Sequence, residues 1–532
     1  MHMKKFFGWI FLGGMTVVFF QQNMPLPRWQ NTITRPPNIL FAIADDQSFP
    51  HASIYGQSTF RTPIFDRIAS NGILFSNAFV AAPQCSPSRA AILTGRQIWQ
   101  LEEAGTHSSY FPKKFPVFTD ALEGAGYFLG FTGKPWGPGN FKDAGWNRNP
   151  VGPEFNKREL ASKPTTGISN IDYVANFKDF LDAKPADKPF FFWYGGHEPH
   201  RTYEAGSGAA VGKTAESLKV PGFLPNTPLV QNDLLDYALE IEWFDTQLGK
   251  MLQLLEAAGE LDNTLVVVTA DNGMPFPYAK ANLQELGTHV PLAICGPMVN
   301  GKNRKVNDMV SLIDLAPTFL DLAQIKYFEG IAGKSLLPIF NQNKSGEVDH
   351  SRQFVFTGRE RHTHARPDNV GYPARAVRTK DYLYVKNFKS ERWPVGDPAP
   401  EHQASQGDNQ NLKPIELGYE DIDDSPTKAY MIQHQTDFPE LFRLDFEKRA
   451  EEELFNINKD PYCLHDISRD KKMQKVRIKL KSVLEKVLIS QSDPRMTDHG
   501  DIFDSYPRFG LMRPFEGFKE RGKYNEKYMN KN

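Results

Sequence analysis

The sequence is poor in cysteine. Three cysteines occur among 532 residues, and three thiols cannot form a disulfide framework. Cys295 lies in the apolar run VPLAICGP, which is typical of a buried strand, and Cys463 lies in the loop KDPYCLHD without an evident role. Cys85 differs from both, because it lies in AAPQCSPSRAAILTGR, among a proline, an arginine and a following helix-like run.

The sequence also lacks an excess of charge of either sign. The net charge is −1, from 62 basic and 63 acidic residues. A chain so close to neutrality has no overall field that would attract nucleic acid or an anionic membrane, so neither is a predicted partner. An anionic substrate must be bound by a local cluster of positive groups. No stable protein partner is predicted.

Long hydrophobic runs are nearly absent, and the clearest one is N-terminal. MKKFFGWIFLGGMTVVFF combines two lysines with an apolar run shorter than the ~20 residues that a membrane-spanning helix requires. This pattern predicts that residues 1–24 form a secretory signal peptide. Because QQNMPLP follows in place of a small-residue cleavage site, an uncleaved N-terminal anchor is the alternative, and a buried first helix is a third reading. The chain is predicted to be exported, to the periplasm or as a secreted protein.

Internal repeats are absent as well, and the chain is too long for one small core. From residue 36 onward, strand-like runs such as PNILFAIADD and NTLVVVTADNG alternate with helical segments such as TPIFDRIASNG. This alternation predicts an α/β fold with a mainly parallel central sheet. We expect a main domain over residues 36–385. A C-terminal subdomain with a long polar insertion is expected over residues 386–495, followed by a surface tail over residues 496–532.

Carboxylate and amide side chains follow two of the predicted strands. Asp45 and Asp46 come after PNILFAIA, and Asp271 and Asn272 come after NTLVVVTA. Because ligands gather at the carboxyl ends of parallel strands, we expect these side chains at one sheet edge. Such an all-oxygen set suits a hard divalent cation, and Ca²⁺ tolerates irregular geometry better than Mg²⁺. Each pair alone is also compatible with a helix cap or a turn.

Imidazole and basic side chains are expected at the same edge. His197, His200 and Arg201 lie in HEPHR after the strand-like PFFFWYGG, and Lys134 ends GYFLGFTGK. Lys280 follows the Asp-Asn pair closely. A histidine here can protonate a leaving-group oxygen near neutral pH, and the lysines can contact an anion. The alternative for each is a surface turn residue or a solvated charge.

The stretch around Cys85 is similar to the signature of type I sulfatases, Cys-x-Pro-x-Arg followed by a small-residue helix and Thr-Gly-Arg. ADDQSF, GYFLGFTGK, HEPHR, TADNGMPFP and ELFNINKDP also resemble family motifs and occur in the family's order, from residue 36 to about residue 490. DNGMPFPYAKANLQELGTHVPLAI and YPARAVRTKDYLYV most resemble the branch that contains heparan N-sulfatase and its bacterial carbohydrate-sulfatase relatives. The resemblance implies an alkaline-phosphatase-like α/β/α sandwich with a smaller C-terminal α+β subdomain.

The resemblance also implies a chemistry. In this family a separate maturase oxidises the cysteine to Cα-formylglycine during export, and the hydrated aldehyde carries two hydroxyls on one carbon. One hydroxyl attacks sulfur, and the other later loses its proton so that sulfate leaves as the aldehyde re-forms. The implied metal ligands for Ca²⁺ are Asp45, Asp46, Cys85 in its converted form, Asp271 and Asn272. The implied catalytic residues are the nucleophile from Cys85, Arg89 to orient it, Lys134 and Lys280 on sulfate, and His200 on the leaving group.

The sequence departs from the family pattern at three positions. The usual Lys-x-His reads Lys-Pro-Trp from Lys134, so the histidine credited with deprotonating the hydrated aldehyde is missing. His107, in EAGTHSSY, is the hypothetical replacement. His289 in GTHVP occupies the position of a usual arginine, and Leu129 occupies that of a usual Ser or Thr.

A polar loop over residues 358–378 is the predicted sugar-binding region, because the family places the matching region near the pocket mouth. Its cationic groups suit an anionic polysaccharide that bears sulfates or uronates, and a solvated charged loop is the alternative. We therefore predict a sulfated carbohydrate as substrate, with either an O-sulfate or an N-sulfate. The predicted substrate-binding residues are His197, Arg201, His289, Arg361, His362 and Arg366.

Two other functions are compatible with the sequence. A phosphonate monoester or phosphodiester hydrolase of the same superfamily is the first, and some of these enzymes also use formylglycine. A non-catalytic protein that binds sulfated glycans is the second, in which Cys85 is never converted or the missing histidine has abolished turnover. Substrate assays separate a sulfatase from the first alternative, and the mass of residue 85 separates it from the second.

Overall fold

A central sheet built from strands along much of the chain confirms the predicted α/β alternation. The computed structural model describes residues 36–398, 418–497 and 499–509, which belong to one compact unit. The strands of the sheet are β1 (Asn38–Ala44), β2 (Ile73–Phe79), β3 (Phe128–Gly133), β4 (Phe190–Gly195), β5 (Thr264–Ala270), β6 (His289–Cys295), β7 (Arg304–Val306) and β8 (Val310–Ser311).

Several predicted segments lie outside the described residues. They are the predicted signal peptide or anchor at residues 1–24, residues 399–417 of the predicted insertion and residues 510–532 of the predicted tail. Among the helices within the described ranges, none combines the length and the apolar character needed to cross a membrane.

The sheet is mainly parallel. Its strand order is β3-β4-β1-β5-β6-β2-β7, and β8 pairs with β2. Neighbours from β3 to β5 run parallel, whereas β6 is antiparallel to both β5 and β2. All seven residues of β1 are buried, as the apolar run from Ile39 to Ala44 predicts for a central strand covered on both faces.

Helices flank the sheet in two groups. The helix Pro228–Ala257 (α6) contacts the helices Pro63–Ser70 (α1) and Tyr173–Ala183 (α4). On the other side, the helices Cys85–Thr94 (α2), Phe118–Gly124 (α3) and Leu315–Leu322 (α8) contact one another. α1 and α6 each begin with a proline, whose fixed φ suits the first helical position and whose missing N–H would have no partner there. The helices are α1 (Pro63–Ser70), α2 (Cys85–Thr94), α3 (Phe118–Gly124), α4 (Tyr173–Ala183), α5 (Ser207–Ala210), α6 (Pro228–Ala257), α7 (Glu285–Thr288), α8 (Leu315–Leu322), α9 (Leu337–Phe340), α10 (Pro426–Gln433), α11 (Pro439–Phe446), α12 (Gln474–Ser490) and α13 (Ile502–Ser505).

The side chains of β4 show how both faces of the sheet are covered. Phe191 packs against Phe118 of α3, with ring centroids 5.2 Å apart. The next residue, Phe192, packs against Phe180 of α4, with ring centroids 4.5 Å apart. Successive residues of a strand point to opposite faces, so this aromatic run fills the core on both sides.

A smaller antiparallel sheet forms the C-terminal part and confirms the predicted α+β subdomain. α12 contacts its two central strands and buries Leu480, Leu484 and Leu488, which recur at helical spacing. The predicted domain boundary at residue 385 falls within the strand Tyr382–Asn387, and the division of the chain into domains stays a prediction. The strand order is β12-β11-β10-β9, with β9 (Val355–Arg359), β10 (Ala374–Arg378), β11 (Tyr382–Asn387) and β12 (Glu452–Asn456).

Two glycines set the position at which the chain leaves β3. Gly133 has a φ of 77°, and a Cβ at this residue would lie 1.9 Å from the carbonyl oxygen of Gly195. A Cβ on Gly195 would in turn lie 1.9 Å from the carbonyl oxygen of Lys134. The N–H of Lys134 donates to the Gly195 carbonyl at 2.7 Å. The close approach of these backbones therefore holds Lys134 beside the end of β4.

We expect Gly133→Ala to destabilise the fold, because its Cβ would meet a backbone atom and its left-handed conformation disfavours a side chain. The free energy of unfolding should fall by at least about 2 kcal/mol, measured by urea unfolding. Gly124→Ala in α3 is the matched control, since nothing lies within 4 Å of its Cβ position. Equal unfolding midpoints for the two variants would contradict this account.

Candidate active site

Four neighbouring strands end at one edge of the sheet, and a predicted site residue follows each of them. Asp45 follows β1, Lys134 follows β3, His197 comes shortly after β4, and Asp271 follows β5. These strands lie side by side in the order β3-β4-β1-β5 and run in the same direction. The structure thus contains the convergence that the sheet topology predicts. Cys85 reaches the same edge as the first residue of α2.

Three buried carboxylates form the centre of the site. One oxygen each of Asp45, Asp46 and Asp271 lies within 4.8 Å of the others, and no member of this trio is more than 1% exposed. Asp46 adopts a left-handed conformation, with φ of 73°, and its N–H donates to Asp271 at 3.1 Å. Burial and then the neighbouring charge of Asp45 raise the pKa of Asp271 above its usual range. Anions packed this closely away from water repel one another and require positive partners.

The residues at this centre fit a bound divalent cation. Asp45 Oδ1 and Asn272 Oδ1 are buried and accept no hydrogen bond within the described part of the chain. Buried oxygens without a donor are costly unless another positive group reaches them. Since Ca²⁺ prefers carboxylate and amide oxygens, the predicted ligand set at Asp45, Asp46, Asp271 and Asn272 is a candidate cation site.

Two lysines lie over the carboxylates. Lys134 Nζ donates to Asp45 at 2.5 Å, and Lys280 Nζ donates to Asp46 at 2.6 Å. Burial alone would lower the pKa of Lys134, but the adjacent Asp45 carboxylate raises it above its usual range, so the ammonium is retained at neutral pH. An anion that enters this edge therefore meets two charged ammonium groups held in place.

Arg89 connects α2 to the strand ends. Its Nε donates to Asp271 at 2.7 Å, and its Nη1 donates to the carbonyl oxygens of Lys134 and Pro135 at 2.6 and 3.0 Å. Arg89 is fully buried and lies one helical turn after Cys85, on the same face of α2. Its hydrogen bonds therefore fix residue 85 relative to the carboxylates.

Cys85 lies among the other residues of the candidate site, but its thiol is not ionised. Its Sγ, one oxygen of Asp45 and one ring nitrogen of His200 lie within 4.8 Å of one another. Cys85 is 1% exposed, and burial raises the pKa of its thiol to about 12. A thiol with this pKa is protonated near pH 7 and reacts poorly as a nucleophile.

The two histidines of HEPHR lie at the rim of the site. His200 Nδ1 is 2.6 Å from the carbonyl oxygen of Arg201, and its Nε2 is 3.8 Å from Asp46 Oδ2. Since Nδ1 faces an acceptor, we assign a proton to it, which leaves Nε2 directed at the site. His197 is exposed, and its backbone N–H donates to Tyr173 at 3.1 Å. His200 is thus placed to exchange a proton with a bound group.

Trp136 fills the position of the missing histidine, and His107 lies nearby. Trp136 is buried, and its Nε1 donates to the carbonyl oxygen of Ser86 at 3.1 Å. The loop that contains His107 also contacts Ser86, because the N–H of Ser108 donates to Ser86 Oγ at 3.0 Å. His107 Nδ1 is 3.1 Å from the carbonyl oxygen of His362. Burial lowers the pKa of His107 well below its usual range, so a neutral imidazole lies beside the first turn of α2.

Arg201 and His289, two of the predicted substrate-binding residues, contact residues other than Asp45, Asp46 and Asp271. Arg201 donates to both oxygens of Asp233, at 2.7 and 2.8 Å. His289 is buried, with Nδ1 2.8 Å from Glu285 Oε1 and its ring stacked on Phe49 at a centroid distance of 3.9 Å. These contacts do not support direct substrate binding by either side chain.

Arg361, His362 and Arg366 of the predicted sugar-binding loop are also buried. Arg361 donates to the backbone carbonyls of Tyr506 and Pro507 at 2.7 and 3.0 Å, and so holds the final described segment. His362 Nδ1 and Arg366 both contact another part of the chain, the segment around residue 421. Their observed role is to fasten segments of the chain together.

Asp421 and Asp423 belong to a segment to which the sequence analysis assigns no function. Asp421 accepts hydrogen bonds from Arg359 at 2.9 Å and from Arg366 at 2.6 Å. Asp423 lies 2.9 Å from Lys280 Nζ and is therefore part of the site. The local sequence YEDIDDSP does not distinguish these carboxylates from a solvated acidic loop. Only the folded structure shows that Asp421 lies beside Arg359 and Arg366 and that Asp423 lies beside Lys280.

Comparison with protein families gives two matching regions. The family described as Sulfatase matches residues 37–325, and the family described as N-sulphoglucosamine sulphohydrolase, C-terminal, matches residues 277–409. The first region spans more than half of the chain and contains every predicted catalytic and metal-binding residue.

Curated relatives agree with the family matches. Human N-sulphoglucosamine sulphohydrolase is 31% identical over 399 residues, which cover 66% of this chain and 74% of the relative. An ulvan-active sulfatase from Formosa agariphila is 26% identical over 458 residues, which cover 85% of this chain and 79% of the relative. The N-acetylglucosamine-6-O-sulfatase of Bacteroides thetaiotaomicron is 26% identical over 473 residues, 69% of this chain and 82% of the relative.

Solved structures share the fold. A protein in complex with its substrate D-glucosamine-2-N,6-O-disulfate matches with a TM-score of 0.57 and 19% identity, over 88% of this chain and 100% of that chain. The phosphonate monoester hydrolase of Silicibacter pomeroyi matches with a TM-score of 0.60 and 15% identity, over 87% of this chain and 97% of that chain. These matches confirm the expected alkaline-phosphatase-like sandwich. Together with the family match over residues 37–325 and the human relative, they show that this chain belongs to the sulfatase family and is a sulfuric ester hydrolase.

Proposed function

We propose that this enzyme hydrolyses sulfate groups on a sulfated carbohydrate or polysaccharide fragment, with Ca²⁺ and with a Cα-formylglycine made from Cys85. The position of Cys85 carries the proposal. Its side chain lies within 4.8 Å of a carboxylate oxygen of Asp45 and a ring nitrogen of His200, yet its thiol is too weakly acidic to react. A formylglycine at residue 85 does not depend on the ionisation of a thiol, because its hydrated aldehyde attacks through a hydroxyl.

The modified residue and the cation have separate contributions. Hydrated formylglycine supplies two hydroxyls on one carbon, one to attack sulfur and one to release sulfate. Ca²⁺ bound at Asp45, Asp46, Asp271 and Asn272 supplies positive charge that neutralises sulfate oxygens.

The side chains of the chain itself bind the anion and move the proton. Asp45 and Asp46 hold the ammonium groups of Lys134 and Lys280 in place at the site. The positive charge of the two lysines binds sulfate there. Arg89 orients residue 85 through its hydrogen bonds to the strand ends. His200 in its protonated form gives the proton on Nε2 to the leaving oxygen or nitrogen.

The relatives support a sugar substrate. The human relative is an N-sulphoglucosamine sulphohydrolase, and the Bacteroides relative is an N-acetylglucosamine-6-O-sulfatase. The C-terminal match over residues 277–409 is to the first of these two types. A substrate screen therefore starts with N-sulfated and 6-O-sulfated glucosamine.

The other two candidate functions have weaker support. The phosphonate monoester hydrolase shares the fold at 15% identity, whereas both family matches are to sulfatases. A protein that only bound sulfated glycans would not need Cys-x-Pro-x-Arg at the start of a buried helix. A phosphonate monoester in the same screen separates the first alternative.

We also propose that the chain is exported and that a formylglycine-generating maturase modifies it on the way. The lysines and apolar run of residues 1–24 support export. Because Cys85 is 1% exposed in the fold, the maturase has to act on the chain before folding is complete.

We expect protein made with such a maturase to have lost ~18 Da at residue 85, since an aldehyde replaces the thiol. Peptide mass spectrometry measures the change. Cys85→Ala should abolish sulfate release, whereas Cys295→Ala, at the end of β6, should leave it unchanged. An active enzyme whose residue 85 is entirely an unmodified thiol would refute the formylglycine mechanism.

Calcium should stabilise the fold, because a cation relieves the repulsion among the buried carboxylates. We expect added CaCl₂ to raise the melting temperature and EDTA to lower it. Asp45→Asn should weaken Ca²⁺ binding at least about tenfold, or ~1.4 kcal/mol, in calorimetry. Asp262→Asn, at an exposed position outside the cluster, should bind Ca²⁺ like the wild type. A melting temperature independent of Ca²⁺ would speak against the site.

His107 is proposed to accept the proton that the missing histidine usually takes. Its neutral imidazole beside the first turn of α2 supports this role. His107→Ala should lower kcat by about 10²- to 10⁴-fold, as expected for loss of a general base. His434→Ala, whose side chain is 41% exposed, is the matched control. Unchanged turnover in His107→Ala, with none in Cys85→Ala, would exclude the assignment.

A further inference from the structure

Asp423 lies beside two groups that the proposed function requires. Its carboxylate is 2.9 Å from Lys280 Nζ, and its side chain is 11% exposed. One oxygen of Asp423, one oxygen of Asp46 and one ring nitrogen of His200 lie within 4.8 Å of one another. Asp423 is therefore close both to the lysine proposed to hold sulfate and to the histidine proposed to protonate the leaving group.

The chain before Asp423 is held by a buried ion cluster. Asp421 is 1% exposed and accepts from Arg359 at 2.9 Å and from Arg366 at 2.6 Å. The backbone N–H of Thr363 donates to the same carboxylate at 2.9 Å. These hydrogen bonds fix the backbone two residues away from Asp423.

The chain after Asp423 is held by a buried lysine. Lys428 is fully buried and donates to the carbonyl oxygen of Ile422 and to Asp424 Oδ1, both at 3.1 Å. With contacts on both sides, the carboxylate of Asp423 has a defined position before a substrate arrives. A preordered group loses little conformational entropy on binding.

Asp423 is not needed merely to neutralise Lys280. Asp46 already accepts a hydrogen bond from Lys280 at 2.6 Å. A second carboxylate beside a lysine that binds sulfate weakens the attraction between that lysine and its anion. A role of Asp423 in the choice of substrate would compensate for this weaker attraction between Lys280 and sulfate.

We propose that Asp423 determines which sugars the active site accepts, an inference that rests on the sulfatase function proposed above. Its carboxylate accepts a hydrogen bond from a hydroxyl or ammonium group on the carbon next to the one that bears the reacting sulfate. The same charge repels a second sulfate or a carboxylate at that position. The substrate class is therefore a sugar whose group beside the reacting sulfate is neutral or cationic.

Asp423→Asn tests this selection, because it preserves the shape of the side chain and removes its charge. The two substrates are the monosulfated sugar that the wild type turns over best and the same sugar with a second sulfate on the adjacent carbon. We expect the wild type to prefer the first. In Asp423→Asn the ratio of the two kcat/KM values, monosulfated over disulfated, should fall at least about tenfold.

Asp437→Asn is the matched control, since its carboxylate pairs with His434 and its side chain is 60% exposed. It should keep the wild-type ratio. If Asp423→Asn lowers both kcat/KM values equally and leaves the ratio unchanged, Asp423 is only a counter-ion of Lys280, and the proposal is overturned. Asp423→Ser provides the same comparison if the Asn variant does not fold.

Binding separates failure of this inference from failure of the proposed function. A wild type with matured residue 85 that releases sulfate from no sugar refutes the proposed function. In the Cys85→Ala background, calorimetry with the same two sugars measures selection without turnover. Adding Asp423→Asn there should strengthen binding of the disulfated sugar relative to the monosulfated one at least about tenfold, and an unchanged relative affinity would overturn the role of Asp423.

Discussion

The close burial of three like-charged carboxylates is the constraint on which this active site depends. Asp45, Asp46 and Asp271 lie within 4.8 Å of one another and are almost fully removed from water. Their repulsion is strong in a medium of low dielectric constant, so they are stable together only with positive partners. Lys134 and Arg89 supply part of that charge. Asp45 Oδ1 and Asn272 Oδ1, which accept no hydrogen bond among the described residues, belong to the candidate site at which a divalent cation would supply the rest.

The same electrostatic arrangement accounts for the surroundings of Cys85. Arg89 of α2 forms an ion pair with Asp271, so the helix that presents residue 85 is bound to the strand ends. The deep burial that strengthens this pair also keeps the Cys85 thiol protonated. An unmodified cysteine is thus poorly suited to attack sulfur here, whereas a hydrated aldehyde needs no thiolate.

The polar loop after β9 is part of the scaffold of the site. The sequence analysis assigns Arg361, His362 and Arg366 to the sugar, but in the structure they bind carbonyl groups and a buried carboxylate from distant segments. His362 and Arg366 contact Asp421 and so hold the segment that places Asp423 beside Lys280. If Asp423 selects the sugar as proposed, these side chains would influence substrate choice only indirectly, through the position of Asp423.

The sequence by itself determined the fold class and most of the residues that meet at the candidate site, because both depend on local patterns. Apolar runs mark the strands, and parallel strands with adjacent ends bring together the residues that follow them, such as Asp45 and Asp271. Only the tertiary structure decided which charged side chains pair with one another. The pairing of Arg201 with Asp233 and the approach of Asp423 to Lys280 join positions far apart in the chain. The sign of the charge on a long side chain can be read from the sequence, but its binding partner depends on how distant segments pack.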